Sequence, residues 1–224
     1  MPYTNKSKVM KNTILKFILL ILLPGSILAQ DSTNVDKELA GQFSLGLRTT
    51  VSGFTDDGAF GNGVGGQFRI RASKKLNSDW LLDYITTDLQ GLGKRTDGHI
   101  GWSVLFYLNQ NPLTEKKFSP YMIAGHCFDY TQVTSYNGFG VSNVAERWSS
   151  AVQGGMGCHY SITERVDLTG SAQYMLHLGT HLDTKVVNDA ALGKRIDISS
   201  SKAGSVEGHL LMTLSLNVRL ADLW

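Results

Sequence analysis

The last seventeen residues, Gly208 to Trp224, constrain the fold more than any other stretch. Leu210, Met212, Leu214, Leu216, Val218 and Leu220 fill every second position. Between them stand Leu211, Thr213, Ser215, Asn217 and Arg219, of which only the first is apolar. A period of two puts these sets on opposite faces of a strand. One face therefore needs an apolar environment and the other a polar one. A soluble core and a lipid bilayer both meet the first need, and the rest of the chain has to decide between them.

Residues 1–29 read as a secretory signal peptide. Lys6, Lys8, Lys11 and Lys16 make a basic opening without acids, Phe17 to Leu23 is an apolar run, and Pro24-Gly25 ends it. Ser26-Ile27-Leu28-Ala29 offers a small residue at the cut, leaving Gln30 as the new N-terminus. The run is well short of the ~20 apolar residues of a spanning helix. No cysteine lies near the cut, so lipid attachment there is not expected. Cleavage leaves 195 residues and moves the net charge from +2 to −2. The basic balance belongs to the signal, so nothing supports a nucleic-acid partner. Residues 30–40 read as a short polar tail, and residues 41–224 as one domain.

Period-two alternation recurs through that domain. Strands are expected over about Gly41 to Gly53, Asn62 to Ala72, Trp80 to Asp88, around Ile100 to Leu108, Phe118 to Gln132, around Trp148 to Ile162 and from Val166 to Leu178, with Gly208 to Trp224 as the eighth. The fifth is ambiguous in phase. One face carries Cys127 and Asp129 and the other His126, so a charge or an imidazole meets lipid unless a bulge intervenes. Connections at Ser73–Asp79, Asn109–Lys117 and Thr163-Glu164 are short. Those at Thr55–Gly61, Leu89–Asp97, Val133–Ala145 and Gly179–Val206 are longer, the last being a long polar connection. Short turns at one end and long loops at the other are the pattern of a transmembrane β-barrel, with both termini on the short-turn, periplasmic side. Trp80, Tyr160 and Trp224 fall towards the turns, and Trp102, Tyr130 and Trp148 towards the loops, as two interfacial girdles. The fold class is all-β: an eight-stranded antiparallel up-and-down transmembrane β-barrel. Pairing around a loop near Phe139 sets Cys127 opposite Val152 and leaves Cys158 about 20 Å away, so two buried, unbridged thiols are expected.

The signal, eight alternating strands, long outer loops and final Trp224 resemble the small OmpA-like outer-membrane barrels of Gram-negative cell envelopes. Pro120-Tyr121 followed by Gly125 resembles them too, and the single-domain versions in Bacteroidota in particular. The resemblance covers roughly Gly41 to Trp224 and implies fold and an outer-membrane location. It also implies that the barrel-assembly machinery reads Leu216, Val218, Leu220 and Trp224 as a terminal signal. The peptidoglycan-binding domain of larger members is not expected, because no residues follow Trp224.

An eight-stranded barrel has an interior just wide enough for side chains. The inward positions carry Arg48, Gln67, Arg69, Arg71, Asp83, His99, Arg147, Arg165, Asp167, Gln173, His177, Glu207 and Arg219, with His159 and Tyr107 beside them. Buried charges need partners, so these residues are expected to form a cross-lumen polar network. Six arginines face only Asp83, Asp167 and Glu207, an imbalance that leaves a narrow anion-favouring path open.

Other features favour the bland reading. Gly61 to Gly66 is glycine-rich but leads into a strand, whereas a phosphate cradle needs a helix. His177 and His181 stand too far apart to share a metal ion if one strand carries both, and nothing fixes His181 if it lies in the loop. His99, Ser103, His126, Asp129 and Glu146 crowd the outer half and could supply a base, an acid and a nucleophile, but no local motif joins them. No cofactor or metal is expected. The leading expectation is a monomeric outer-membrane barrel with a structural or surface-interaction role, its partners being outer-membrane lipids, lipopolysaccharide and the assembly machinery. A lipid A-modifying enzyme, a narrow solute channel and an accessory barrel of a secretion system stand as alternatives.

Overall fold

The computed structural model describes residues 40–54, 60–109, 118–137, 140–179, 181–189, 193–201 and 207–224, with the backbone alone at Phe54, His181, Asp189, Ser201 and Glu207. Residues 1–39, including the expected signal and most of the tail, lie outside the described residues. The strands are β1 (Gln42–Phe54), β2 (Phe60–Arg71), β3 (Leu76–Asp88), β4 (Gly93–Tyr107), β5 (Phe118–Asn137), β6 (Gly140–Ser161), β7 (Val166–Leu178), β8 (His181–Asp189), β9 (Gly193–Ser201) and β10 (Glu207–Asp222). Eight of them close an antiparallel barrel in the order β1-β10-β7-β6-β5-β4-β3-β2, while among the described residues β8 and β9 form a separate two-stranded sheet.

The register fixes how the strands are staggered. A row of paired residues starts at Ser149 and passes through Asp129, His99, Asp83, Gly65, Arg48, Ser215 and Thr169. It returns to β6 at His159, ten residues from its start. A stagger of that kind goes with strands tilted ~35–45° to the axis. The row therefore climbs as it circles, and every side chain on it is polar apart from Gly65.

Alternation sorts the strands as their sequence dictates. On β10, Leu210, Met212, Leu214, Leu216, Val218 and Leu220 are exposed outside, while His209, Leu211, Ser215 and Asn217 are buried inside. On β5 the phase is resolved without a bulge in the spanning part: Tyr121, Ile123, Cys127, Asp129 and Thr131 face in, and Met122 and Phe128 face out. Cys127 pairs with Ala151, one residue from the expected Val152, and both thiols are free; Cys127 is buried, but Cys158 is only half-buried because it falls on the outward parity of β6.

The connections depart from expectation at the loop end, where β1 meets β2, β3 meets β4, and β5 meets β6. The β3–β4 loop shrinks to residues 89–92. Leu92 N–H donates to the Leu89 carbonyl at 3.0 Å, with Gln90 at φ 58° and Gly91 at φ 71°. Two successive positive φ values make the turn that suits a tight hairpin, and glycine takes the second without strain. β5 and β6 likewise run on to Asn137 and Gly140. These stretches looked like loops because their inward residues are polar, but polar is what an inward position here requires.

The long β7–β10 connection contains the β8–β9 hairpin, which the sequence reading missed. Leu182 and Ile196 lie buried against Leu89 and Val133, with Leu92, Ala145 and Ile198 around them. The hairpin is thus fastened by an apolar cluster to the inner side of the β4–β6 extension.

Outside, Phe43, Phe68, Trp80 and Trp102 form an aromatic chain across four strands, with ring centroids 6.1, 5.7 and 6.2 Å apart. Trp102 pairs directly with Trp80, and both indole N–H groups donate to Ser78 Oγ, at 2.7 and 3.0 Å. Trp102 therefore belongs to the turn-end belt, not to the loop end. β4 begins at Gly93, earlier than expected, which carries Trp102 past mid-strand. At the loop end Tyr130 and Trp148 meet at 4.9 Å.

Candidate functional site

Polar side chains gather inside the barrel around two centres of opposite sign. Towards the turn end the centre is a cation. Arg69, from β2, donates Nε to Asp79 Oδ1 at 3.0 Å and turns Nη1 towards Asp167 Oδ1 at 3.4 Å. Asn217 donates to Asp167 at 2.9 Å and to Thr169 at 2.9 Å, and Gln67 donates to Asn217 at 2.6 Å. His159 Nδ1 meets Thr169 at 2.6 Å, and its ring leans on Tyr121 at 4.4 Å. Arg71 bonds the carbonyls of Ser73 and Lys74 and lies over the Tyr107 ring.

Towards the loop end the centre is an anion. Asp129 is fully buried and receives Arg147 Nη2 at 3.3 Å, Ser149 at 3.2 Å and Thr131 at 3.1 Å. His99 Nε2 stands 3.3 Å from one of its oxygens and His177 Nδ1 3.2 Å from the other. His177 Nε2 continues to His209 Nδ1 at 3.2 Å, and the His209 ring stacks on His99 at 5.7 Å. Beside it Arg95 pairs with Asp97 at 3.0 Å.

Between these centres Arg48 reaches Asp83 at 3.0 Å. The two sit on β1 and β3, with Gly65 of β2 between them in the same row. A Cβ on Gly65 would collide with the Asp83 carboxylate and the Leu82 carbonyl. The missing side chain is what lets an ion pair span three strands, which gives the glycine-rich Gly61–Gly66 segment a packing reason.

No protein-family model and no curated protein matches the chain. Solved structures do. A major outer membrane protein from Thermus thermophilus superposes with TM-score 0.53 at 13% identity, over 80% of this chain and 99% of that one. The fold is that of an outer-membrane β-barrel. Neisserial surface protein A matches at TM-score 0.49 and 14% identity, over 80% of this chain and 97% of that chain. Ail, the attachment invasion locus protein of Yersinia pestis, matches at 0.45 and 14%, over 81% and 99%.

Inside the barrel, Arg48, Gln67, Arg69, Arg71, Asp83, His99, Arg147, Gln173 and His177 are buried, and Asp167 is half-buried. Arg165 is not in the interior: it stands exposed in the β6–β7 turn, because β7 starts one residue later. Arg219 is half-buried at the same mouth. The Glu207 and His181 side chains lie outside the described residues. Asp79, Asp97 and Asp129 supply the acids that the expected partner set lacked. Among the described residues, five inward arginines (Arg48, Arg69, Arg71, Arg95 and Arg147) now face five inward aspartates (Asp79, Asp83, Asp97, Asp129 and Asp167). The expected imbalance came from leaving out Asp79 and Asp97, read as loop residues, and Asp129, on the strand of open phase, and from counting Arg165 and Arg219, which stand at the mouth, as interior cations. His209, Ser215 and Asn217 were also legible, since they share the inward parity of β10.

The residues considered for catalysis do not converge. His99 serves Asp129, Ser103 accepts Gln153 at 2.7 Å, and Glu146 accepts Gln132 at 2.9 Å on the outer face. His126 faces outwards and meets Ser150 at 2.6 Å. Ser149, His177 and Asp129 do cluster, but serine and carboxylate meet the same imidazole nitrogen, Nδ1. A proton relay needs them on opposite nitrogens. Among the described residues no group of three His, Cys, Asp or Glu side chains is arranged to hold a metal ion.

Proposed function

We propose that the chain is an exported outer-membrane protein whose barrel spans the bilayer with its termini in the periplasm. In this reading it serves a structural or surface-interaction role as a closed monomer, of the single-domain kind seen in Bacteroidota. The observation that carries this is the inverted polarity of the barrel: Leu47, Val64, Leu82, Ile100, Met156 and Leu214 face out and are exposed, whereas ten charged side chains face in. A soluble barrel needs the reverse, and a bilayer is the solvent in which a closed barrel hides every strand edge. Residues 1–29 would direct export. Leu216, Val218 and Leu220 point outwards on β10, which closes the barrel, and Trp224 is exposed just beyond its end, where assembly machinery would meet them.

The surface role is supported by the β5–β6 extension. β7 pairs with β6 only from Ser150 onwards, so from Gly140 to Glu146 no described strand lies along the far edge of β6. An open edge offers main-chain donors and acceptors to an extended segment of another protein. The test is fractionation of the mature chain with electrophoresis of boiled and unboiled samples. Recovery with the outer membrane and faster migration unboiled are expected; a soluble periplasmic protein would end this reading. Planar-bilayer recording is expected to show no steady conductance, because the interior is filled by paired groups, and large steps would put the channel reading in its place.

A further inference from the structure

The interior arginines all have protein partners, but the mouth at the turn end is different. It is lined by Arg69, Arg71, Arg165 and Arg219 against two acids, Glu164 and Asp167. Arg69 and Asp167 answer each other, and Arg71 is tied to the Ser73 and Lys74 carbonyls. Arg165 and Arg219 are held side by side by their backbones, Arg219 N–H donating to the Arg165 carbonyl at 2.7 Å. Neither side chain makes an ion pair among the described residues. Ser44, Ser161 and Thr163 add hydroxyls to the same wall.

We propose that this mouth is a blind binding site for a phosphate group, gripped by Arg165 and Arg219. Two surplus positive charges match a doubly charged anion, and two guanidinium forks can each take a pair of phosphate oxygens. The floor is closed by Arg69 with Asp79 and Asp167, and by the Tyr107, Tyr121 and His159 rings, so the anion enters and goes no further. The belt of Phe43, Phe68, Trp80 and Trp102 runs around the outside at this end, the level at which aromatic residues meet headgroups. The phosphate is thus either free or a lipid phosphomonoester, since both are doubly charged. Its recognition does not depend on the proposed surface role.

The probe is inorganic pyrophosphate, titrated calorimetrically into the barrel in an uncharged detergent, with acetate as the singly charged control. Saturable pyrophosphate binding is expected, with far weaker acetate binding, and the R165Q/R219Q variant is expected to bind at least about tenfold more weakly. Both residues lie outside the paired interior, so the variant is expected to keep its heat-modifiable migration. A double lysine variant, keeping charge without the fork, is expected to fall between the two. Repeating the titration in nanodiscs distinguishes the sources. If phosphatidic acid, a doubly charged phosphomonoester, suppresses pyrophosphate binding in the wild type, a lipid headgroup holds the site; if binding is unchanged, the ligand is free phosphate. Absence of binding in the wild type, or equal affinity in wild type and R165Q/R219Q, would overturn the proposal.

Discussion

The two polar centres of the interior solve one problem with opposite charges. At the turn end a guanidinium, Arg69, sits between two carboxylates. At the loop end a carboxylate, Asp129, sits among Arg147, His99 and His177. Burying either ion alone would cost several kcal/mol, and both centres avoid this by surrounding the ion with opposite charge and hydroxyls. They differ in what is left when the ion is removed: two carboxylates at the turn end, a guanidinium with two imidazoles at the loop end.

That difference yields the largest predicted effects. Arg69→Met is expected to destabilise the barrel by ~3–5 kcal/mol near neutral pH, since it leaves Asp79 and Asp167 facing each other without their cation. Asp129→Asn, which strands Arg147 and two imidazoles, is expected to cost a comparable amount. Urea unfolding in liposomes checks both, and a wild-type midpoint in either variant would show that its centre does not hold the barrel together.

A second comparison sets the outer face against the inner one. Leu214→Arg places a charge on an exposed apolar position of β10 and is expected to cost ~2–4 kcal/mol in a bilayer. The same variant measured in a short-chain, water-rich detergent should lose less. Gly65→Val tests the inner face between the two centres. Its side chain would take the space through which Arg48 reaches Asp83, at an expected cost of ~1–3 kcal/mol. Gly66→Val is the control: a Cβ there meets nothing nearer than 3.7 Å, and the unfolding midpoint should move much less.

Alternation made the barrel legible in the sequence, because a strand between lipid and a filled lumen must switch polarity at every residue. Leu210 to Leu220 shows this plainly, and so do Ile100 to Leu108. What failed was the sorting of polar residues into loops and lumen. Asp79, Arg95, Asp97 and Ser135 look like loop residues by composition, yet each lies on a strand and all but half-buried Asp79 are buried. Polarity alone cannot separate an inward position from an exposed turn; only parity, carried outwards from the clear part of the strand, does so. The Asp129 centre was hidden for a related reason. Its members come from four strands, and their meeting depends on the ten-residue stagger, which no local stretch records. The hairpin escaped notice because Leu182, Ile196 and Ile198 are sparse among Asp, Lys, Ser and Thr.

The hairpin also supplies the smallest predicted effect and the sharpest contrast between the two ends. The turn end is an open mouth where Arg165 and Arg219 make no ion pair among the described residues, whereas the β8–β9 hairpin packs beside the loop-end centre through apolar contact. Leu182 and Ile196 are buried against Leu89 and Val133, and among the described residues β8 and β9 share no ladder with a barrel strand. Ile196→Ala removes three methylene-sized groups, a loss of roughly 2 kcal/mol from that cluster. Because the barrel ladder is untouched, this loss should fall on docking of the hairpin and barely on global unfolding. Amide exchange is expected to quicken along β8 and β9 and at Val133, while Leu211 and Cys127 in the barrel keep their protection. The urea midpoint should hold to within ~0.5 kcal/mol of the wild type, as for a local opening that precedes global unfolding. If exchange instead rises together in β9 and throughout β10, the hairpin and the barrel form one cooperative unit, and the apolar cluster supports the wall as well as the cover.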